Sequence, residues 1–194
     1  MPKKIAPIPK GYRTITPELV VRGADQALAY YKDVFDAIVV SRVTADDGIT
    51  VLQAEVKIGN SLIRIMDEMP AFGILSPTGI GGTAVGIHVY DAAAGDIWQR
   101  ALAQGAGILI AFADTPWGER YGKFIDPFGH VWSVSHRIAK TQSKPATAVI
   151  PQAETEAAVV PSFSVHEPLA DRTQPSPEQD LYLEASEALN SNAA

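Results

Sequence analysis

The sequence contains no cysteine. Disulfide bonds, thiolate metal sites and a cysteine nucleophile are therefore excluded. No apolar run approaches the roughly 18 residues that a membrane-spanning helix needs, and the amino-terminal segment lacks the apolar core of a secretory signal peptide. We expect a cytoplasmic protein that makes no contact with membranes.

Excess positive charge is also missing, since the net charge is −6. Residues 1–138 contribute −1, with 13 Lys and Arg against 14 Asp and Glu, and residues 139–194 contribute −5, with 3 against 8. A basic face for nucleic acid is therefore not expected. All 15 glycines and all three tryptophans also precede residue 139. The composition predicts a domain over 11–138 and an acidic, Ala/Pro-rich tail over 139–194.

One stretch of the tail carries helix signals. Ser176 can act as an N-cap, Pro177 suits the first helical position, and acidic residues follow in the first turn. We predict a short helix over 177–189, whereas the rest of the tail has too few large apolar side chains to fold alone. One hypothesis is therefore a non-catalytic interaction protein that acts through its tail.

The domain repeats one order of elements. Periodicity and turn residues predict a strand, an amphipathic helix and three further strands at 14–21, 24–35, 38–43, 50–57 and 62–66. After a Gly/Pro-rich connector the order recurs, with a strand, a helix and three strands at 84–89, 94–102, 108–112, 121–125 and 131–135. The sequence therefore predicts an α+β fold of two tandem βαβββ modules, at about 11–70 and 83–138.

The last hairpin contains the most specific motif, Asp126-Pro-Phe-Gly-His-Val-Trp132. Pro127 and Gly129 favour a tight turn. In the strand that follows, Trp132 shares one face with Val134, and Ser133 lies on the other. The strand is expected to pack an apolar face against the core and to present a small polar face opposite.

This motif resembles the vicinal oxygen chelate superfamily, specifically the glyoxalase/bleomycin resistance family and its PhnB-like branch. Trp117-Gly-Glu-Arg-Tyr-Gly122 adds to the resemblance, as does Ile15-Thr-Pro-Glu-Leu-Val-Val21 before a helix that contains Tyr30-Tyr31. The resemblance covers about residues 11–138. It implies eight strands that curl into a cup-shaped sheet with helices outside, and a homodimer that completes each cup.

The resemblance also implies where metal-dependent members hold their ion, with His or Glu on the first and last strand of each module. In this chain those positions are Thr16, Ala84, Ser133 and either Arg64 or Ile63. None of them is His, Glu or Asp, alanine has no donor atom, and arginine cannot bind a cation. We therefore expect no metal and no other cofactor.

Glu18 and His88 are the candidate catalytic residues. Strand alternation places them on the face that holds the ligand positions. They could act as an acid–base pair, or as part of a rebuilt metal site that needs a third ligand, in an enzyme of the lyase, isomerase or dioxygenase type. In the alternative interpretation, Glu18 is solvated at the rim and His88 is hydrogen-bonded in the wall.

Arg64 is expected to face the cup, where a guanidinium could hold a carboxylate or phosphate; the alternative is an ion pair with a nearby acid. Aromatic side chains and a cation in the glycine-flanked segment 117–121 suit stacking on a flat ligand, or else packing on the core. The leading hypothesis is a protein that binds a small organic molecule without a metal. Its expected ligand contacts are Thr16, Arg64, Trp117, Arg120, Tyr121 and Ser133.

The remaining histidines and tryptophans are assigned to structure. His130 follows the turn glycine and is expected to be exposed. His136 ends the last strand and is interpreted as a hydrogen-bonding residue. Trp98 and Trp132 fall on packing faces and are predicted to lie in the core.

Overall fold

The computed structural model describes residues 6–139. The acidic tail and the helix predicted over 177–189 lie outside the described residues, so both stay predictions. Within 6–139, no helix combines the length and the apolar character that crossing a membrane requires.

Each module contains the predicted order of elements. The first consists of β1 (Glu18–Val21), α1 (Ala24–Phe35), β2 (Ile38–Thr44), β3 (Val51–Ile58) and β4 (Ser61–Asp67). A 3-10 turn (Pro70–Phe72) and the short helix α2 (Pro77–Ile80) connect the modules. The second module consists of β5 (Gly86–Tyr90), α3 (Ala94–Ala103), β6 (Gly107–Asp114), β7 (Glu119–Ile125) and β8 (Val131–Arg137).

The eight strands form two mixed sheets of four, with the orders β1-β4-β3-β2 and β5-β8-β7-β6. The first strand of each module runs parallel to its last strand, and the other neighbours are antiparallel. This topology confirms the tandem βαβββ fold. It places the first and last strands of a module side by side, so their side chains share one surface.

A common apolar core joins the modules. Helix α1 contributes Tyr31 and Phe35, whose ring centroids lie 5.4 and 4.6 Å from Trp132 of β8. Helix α3 contributes Trp98, 5.9 Å from Phe124 of β7. Trp98 and Trp132 are 5% and 0% exposed, which confirms their assignment to the core. One face of each sheet is covered in this way; we call the opposite faces the first and second open faces.

The Asp126 turn anchors this core. One carboxylate oxygen of Asp126 accepts hydrogen bonds from the backbone amides of Phe128 and His130, both at 2.9 Å. The other oxygen accepts from the Tyr31 hydroxyl at 2.7 Å and the Trp132 indole at 2.8 Å. Asp126 is only 4% exposed, and four donors compensate its lost hydration. The motif that carries the family resemblance is therefore structural.

The prediction that His130 is exposed is wrong. Its side chain is half-buried, and Nε2 lies 3.1 Å from the carbonyl oxygen of Val20. Because a carbonyl oxygen only accepts, Nε2 carries the proton. Burial lowers the pKa of His130, and the contact links the last hairpin to β1.

Candidate functional site

His88 lies on β5, an edge strand of the second sheet, and its imidazole contacts two polar side chains of the neighbouring strand β8. β5 pairs with β8 so that His88 lies beside Ser133. The imidazole Nδ1 is 2.7 Å from the Ser133 hydroxyl, and Nε2 is 3.1 Å from the Ser135 hydroxyl. Ser133 and Ser135 are only 6% and 0% exposed, so the imidazole supplies a hydrogen-bond partner to two buried hydroxyls.

Aromatic rings surround this imidazole. The ring of Tyr90 lies 4.3 Å from that of His88, and the ring of Tyr121 lies 5.9 Å away at an interplanar angle of 13°. Trp117 follows at 6.4 Å from Tyr121 and is 61% exposed. We call Trp117, Tyr121, His88 and Tyr90 the ring array. It forms a largely apolar surface with a hydrogen-bonded imidazole at its centre.

The electrostatics of the ring array favour a neutral imidazole. Burial lowers the pKa of His88, and this effect exceeds the opposing influence of Glu119. A neutral imidazole offers one donor and one acceptor, and the two serine hydroxyls can complement either arrangement. Glu119 itself accepts a 2.9 Å hydrogen bond from the Tyr90 hydroxyl, and this bond raises the pKa of Tyr90.

The first open face has a different character. Arg64 of β4 forms an ion pair with Glu18 of β1 at 3.1 Å and donates a hydrogen bond to Gln53 of β3. Its Nε is buried and has no hydrogen-bond partner within 6–139. Next to Arg64, Tyr12 is hydrogen-bonded to Glu55. Burial, and to a smaller extent this hydrogen bond, raises the pKa of Tyr12 to about 12. Glu18 and Gln53 thus bind both terminal nitrogens of the guanidinium.

The structure brings together three of the predicted ligand residues: Trp117, Tyr121 and Ser133 lie on the second open face with His88. Thr16 precedes β1, and its hydroxyl donates to the carbonyl of Arg13 at 3.4 Å. Arg64 lies on the first open face and forms an ion pair with Glu18, which matches the alternative interpretation of an ion pair with a nearby acid.

Arg120 does not join the ring array. β7 begins at Glu119, two residues before the predicted start of this strand, so Arg120 is also a strand residue and points to the face opposite Tyr121. Arg120 pairs with Asp114 at 3.0 Å and lies 5.9 Å above the ring of Phe112, which stacks on Trp98. Arg120 therefore belongs to the covered side of the sheet.

The candidate acid–base pair is not assembled within one chain. Glu18 lies in the first sheet, and His88 lies in the second. Across residues 6–139, no hydrogen bond or ion pair joins them. Glu18 is 44% exposed in its side chain and carries the Arg64 pair, which matches the rim interpretation.

Burial separates the two candidate positions on β4. Ile63 is 4% exposed and belongs to the core, whereas Arg64 pairs in register with Glu18 on the first open face. Of the two residues, Arg64 is therefore the one that can face a ligand. In the part of the chain that the structure describes, no cluster of three or more His, Cys, Asp or Glu could hold a metal ion.

Sequence reasoning missed Tyr90, Glu119 and Lys123 of the second open face. Strand alternation could have predicted the face of Tyr90, because Tyr90 lies two residues after His88 on the same strand. Lys123 pairs with Ser133 across β7 and β8, so it shares the open face. Its face could also be predicted by alternation, because Lys123 lies two residues after Tyr121 on β7, whereas its alignment with Ser133 depended on a register that the sequence alone did not provide.

The sequence and the fold both resemble those of known proteins. Residues 14–134 match the family model of the Glyoxalase/Bleomycin resistance protein/Dioxygenase superfamily. An uncharacterized protein of Mycobacterium tuberculosis strain H37Rv is 36% identical over 127 residues, which cover 64% of this chain and 74% of the relative. An uncharacterized protein of Mycobacterium bovis is also 36% identical over 127 residues, which cover 64% of this chain and 83% of the relative.

Two solved structures share the fold. The PA1353 protein from Pseudomonas aeruginosa has a TM-score of 0.53 and 20% identity, covering 66% of this chain and 99% of its own. A PhnB protein from Bacillus cereus has a TM-score of 0.52 and 21% identity, covering 64% and 99%. At this level of identity the likeness concerns the fold alone.

Proposed function

Because the chain belongs to the glyoxalase/bleomycin resistance protein/dioxygenase superfamily, we propose that it binds a small organic molecule on the second open face. The observation that carries the proposal is the ring array, whose four rings follow one another from exposed Trp117 through Tyr121 and His88 to Tyr90. Such a surface combines stacking area with a few fixed polar groups, as small-molecule sites do.

The ring array favours a flat ligand. The rings of Tyr121 and His88 are nearly parallel, so a planar molecule can lie along them with its face in contact. Each aromatic contact contributes about 0.5–1.5 kcal/mol beyond the area that it buries. The exposed indole of Trp117 can close over such a molecule without first leaving a packed position.

We propose that binding requires no metal. The positions that the resemblance assigns to metal ligands hold Thr16, Ala84, Arg64 and Ser133, none of which carries a carboxylate or an imidazole, and the hydroxyls of Thr16 and Ser133 are hydrogen-bonded within the protein. Elemental analysis of the purified, tag-free protein should give less than about 0.2 mol of divalent metal per chain. A near-stoichiometric transition metal would favour the enzyme hypothesis with a rebuilt site.

We also propose a homodimer. The edge strands β2 and β6 each expose three consecutive apolar side chains, which are Ile38, Val39, Val40, Ile108, Leu109 and Ile110. Exposed apolar edges are normally covered by pairing or packing. A second copy that covers them would also convert open faces into enclosed cups. Light scattering that shows a monomer throughout the micromolar range would contradict this assembly.

Titration calorimetry with 2-naphthamide, a flat neutral probe, tests the ligand proposal. Replacing Trp117 or Tyr121 with alanine should weaken binding about 2–10-fold, which corresponds to one lost aromatic contact. Ile49→Ala is the control, because Ile49 is 75% exposed in the β2–β3 turn, outside both the second sheet and the apolar edges of β2 and β6. Absence of binding, or equal losses in all three variants, would refute the proposal.

A further inference from the structure

We infer that the ligand carries a negatively charged group and that Lys123 is the cation that binds it. This inference rests on the proposed function, because it concerns the same open face. It also changes the expected charge contact, since the sequence points to Arg64 in the first sheet. The class of ligand is a flat aromatic compound with one anionic substituent.

The position of Lys123 is the first support. Lys123 of β7 pairs with Ser133 of β8, which pairs with His88 of β5, so the three residues form one row across the second open face. Tyr121 lies two residues earlier on β7 and faces the same way. The ammonium group is therefore within reach of a molecule that stacks on the ring array.

The free charge of Lys123 is the second support. The side chain is half-buried, and within residues 6–139 it takes part in no hydrogen bond or ion pair. The acid on the same face of β7 is Glu119, four residues away and therefore roughly 13 Å along the strand. Glu119 is bonded to Tyr90 and has Arg137 as its cross-strand neighbour.

The neutral state of His88 is consistent with this assignment. Burial lowers the pKa of His88, so near neutral pH the row contains one cation and not two. An anionic substituent can then approach Lys123 without an opposing carboxylate in the same row. Lysine presents a compact point charge, which suits a carboxylate, sulfonate or phosphate alike.

Arg64 lacks this freedom. Glu18 holds one terminal nitrogen at 3.1 Å and Gln53 accepts from the other, so an incoming anion would first have to displace Glu18. An incoming anion would only replace Glu18 as the partner of a charge that is already compensated, so it would gain less there than at an unpaired lysine. Arg64 therefore serves as the matched control for a charge that is present but already paired.

The experiment compares 2-naphthoate with 2-naphthamide, which share one ring system and differ in charge. Calorimetric titration of the full chain should show tighter binding of 2-naphthoate. Lys123→Gln should weaken the binding of 2-naphthoate about 3–10-fold and leave the binding of 2-naphthamide unchanged. This loss lies between those typical of exposed and of buried charge contacts. Lys123→Arg should retain the preference, and Arg64→Gln should change it less than about twofold.

Each failure has its own signature. If wild-type protein binds both probes equally, or if Arg64→Gln loses 2-naphthoate while Lys123→Gln does not, the inference is wrong and binding to the ring array stands. If neither probe binds, the proposed function is refuted and the inference with it. Melting curves of every variant establish that the fold is intact, and Lys123→Arg separates loss of charge from loss of packing.

Discussion

Replacing Asp126 with asparagine should destabilise the domain by about 2–4 kcal/mol, although the two side chains have almost the same shape. One oxygen of Asp126 binds the backbone amides of Phe128 and His130, and the asparagine oxygen can retain both bonds. The second oxygen is replaced by an NH₂ group. That group faces two buried donors, the Tyr31 hydroxyl and the Trp132 indole.

The two donors respond differently. The Tyr31 hydroxyl can rotate and accept a hydrogen bond from the new amide, whereas the indole N–H of Trp132 can only donate. Trp132 is 0% exposed, so its donor then lacks any partner, at a cost of about 1–3 kcal/mol. The remaining bonds lose their charge assistance, which accounts for roughly another kcal/mol.

A double-mutant cycle with Trp132→Phe tests this origin. Phenylalanine has no N–H to leave unpaired, so the double variant should be more stable than the sum of the single effects by about 1–2 kcal/mol. Urea unfolding followed by far-ultraviolet circular dichroism measures each free energy. Asp46→Asn is the control. Asp46 is exposed in the β2–β3 turn, so its substitution should lower the free energy of unfolding by less than about 0.5 kcal/mol. An Asp126→Asn cost equally small, or strict additivity, would refute the reasoning.

Three further predictions concern packing, pH and the tail. Gly122→Ala should cost about 1–3 kcal/mol in urea unfolding, because a Cβ there would lie 2.7 Å from the Trp98 ring. Burial lowers the pKa of His88 and His130, so below about pH 6.5 the unfolded chain binds more protons than the folded protein. The melting temperature should therefore fall between pH 7.5 and 5.5. It should fall less in the double variant in which both histidines are replaced by glutamine. Removing residues 140–194 should leave the domain folded, and a truncated chain that cannot fold would disprove the predicted boundary.

The elements could be predicted because their signals are local. The helix predicted over 24–35 is α1, and strand alternation separates Trp132 from Ser133 as expected. The errors arose at element ends. β7 begins two residues earlier than predicted, so Arg120 lies within the strand. Because successive side chains of a strand point to opposite faces, Arg120 and Tyr121 lie on different sides of the sheet.

The candidate site was only partly predictable because its partners are distant in sequence. Alternation identified the polar face of β8, and the aromatic segment 117–121 was recognised from its composition. That Ser133 meets His88 depends on a parallel pairing of strands 45 residues apart. No local pattern specifies such a register, which packing against the helices determines.

The amino-acid sequence by itself determined the two modules, their turns and the faces that are apolar, because these depend on periods of two or 3.6 residues and on backbone preferences. Tertiary structure decided the roles of the charged groups. Asp126 is tied to Tyr31 across 95 positions of the chain, Arg64 is paired by Glu18, and Lys123 has no ion-pair partner within residues 6–139. A charge acquires its function from the groups that surround it in space, and only the folded arrangement of strands selects those groups.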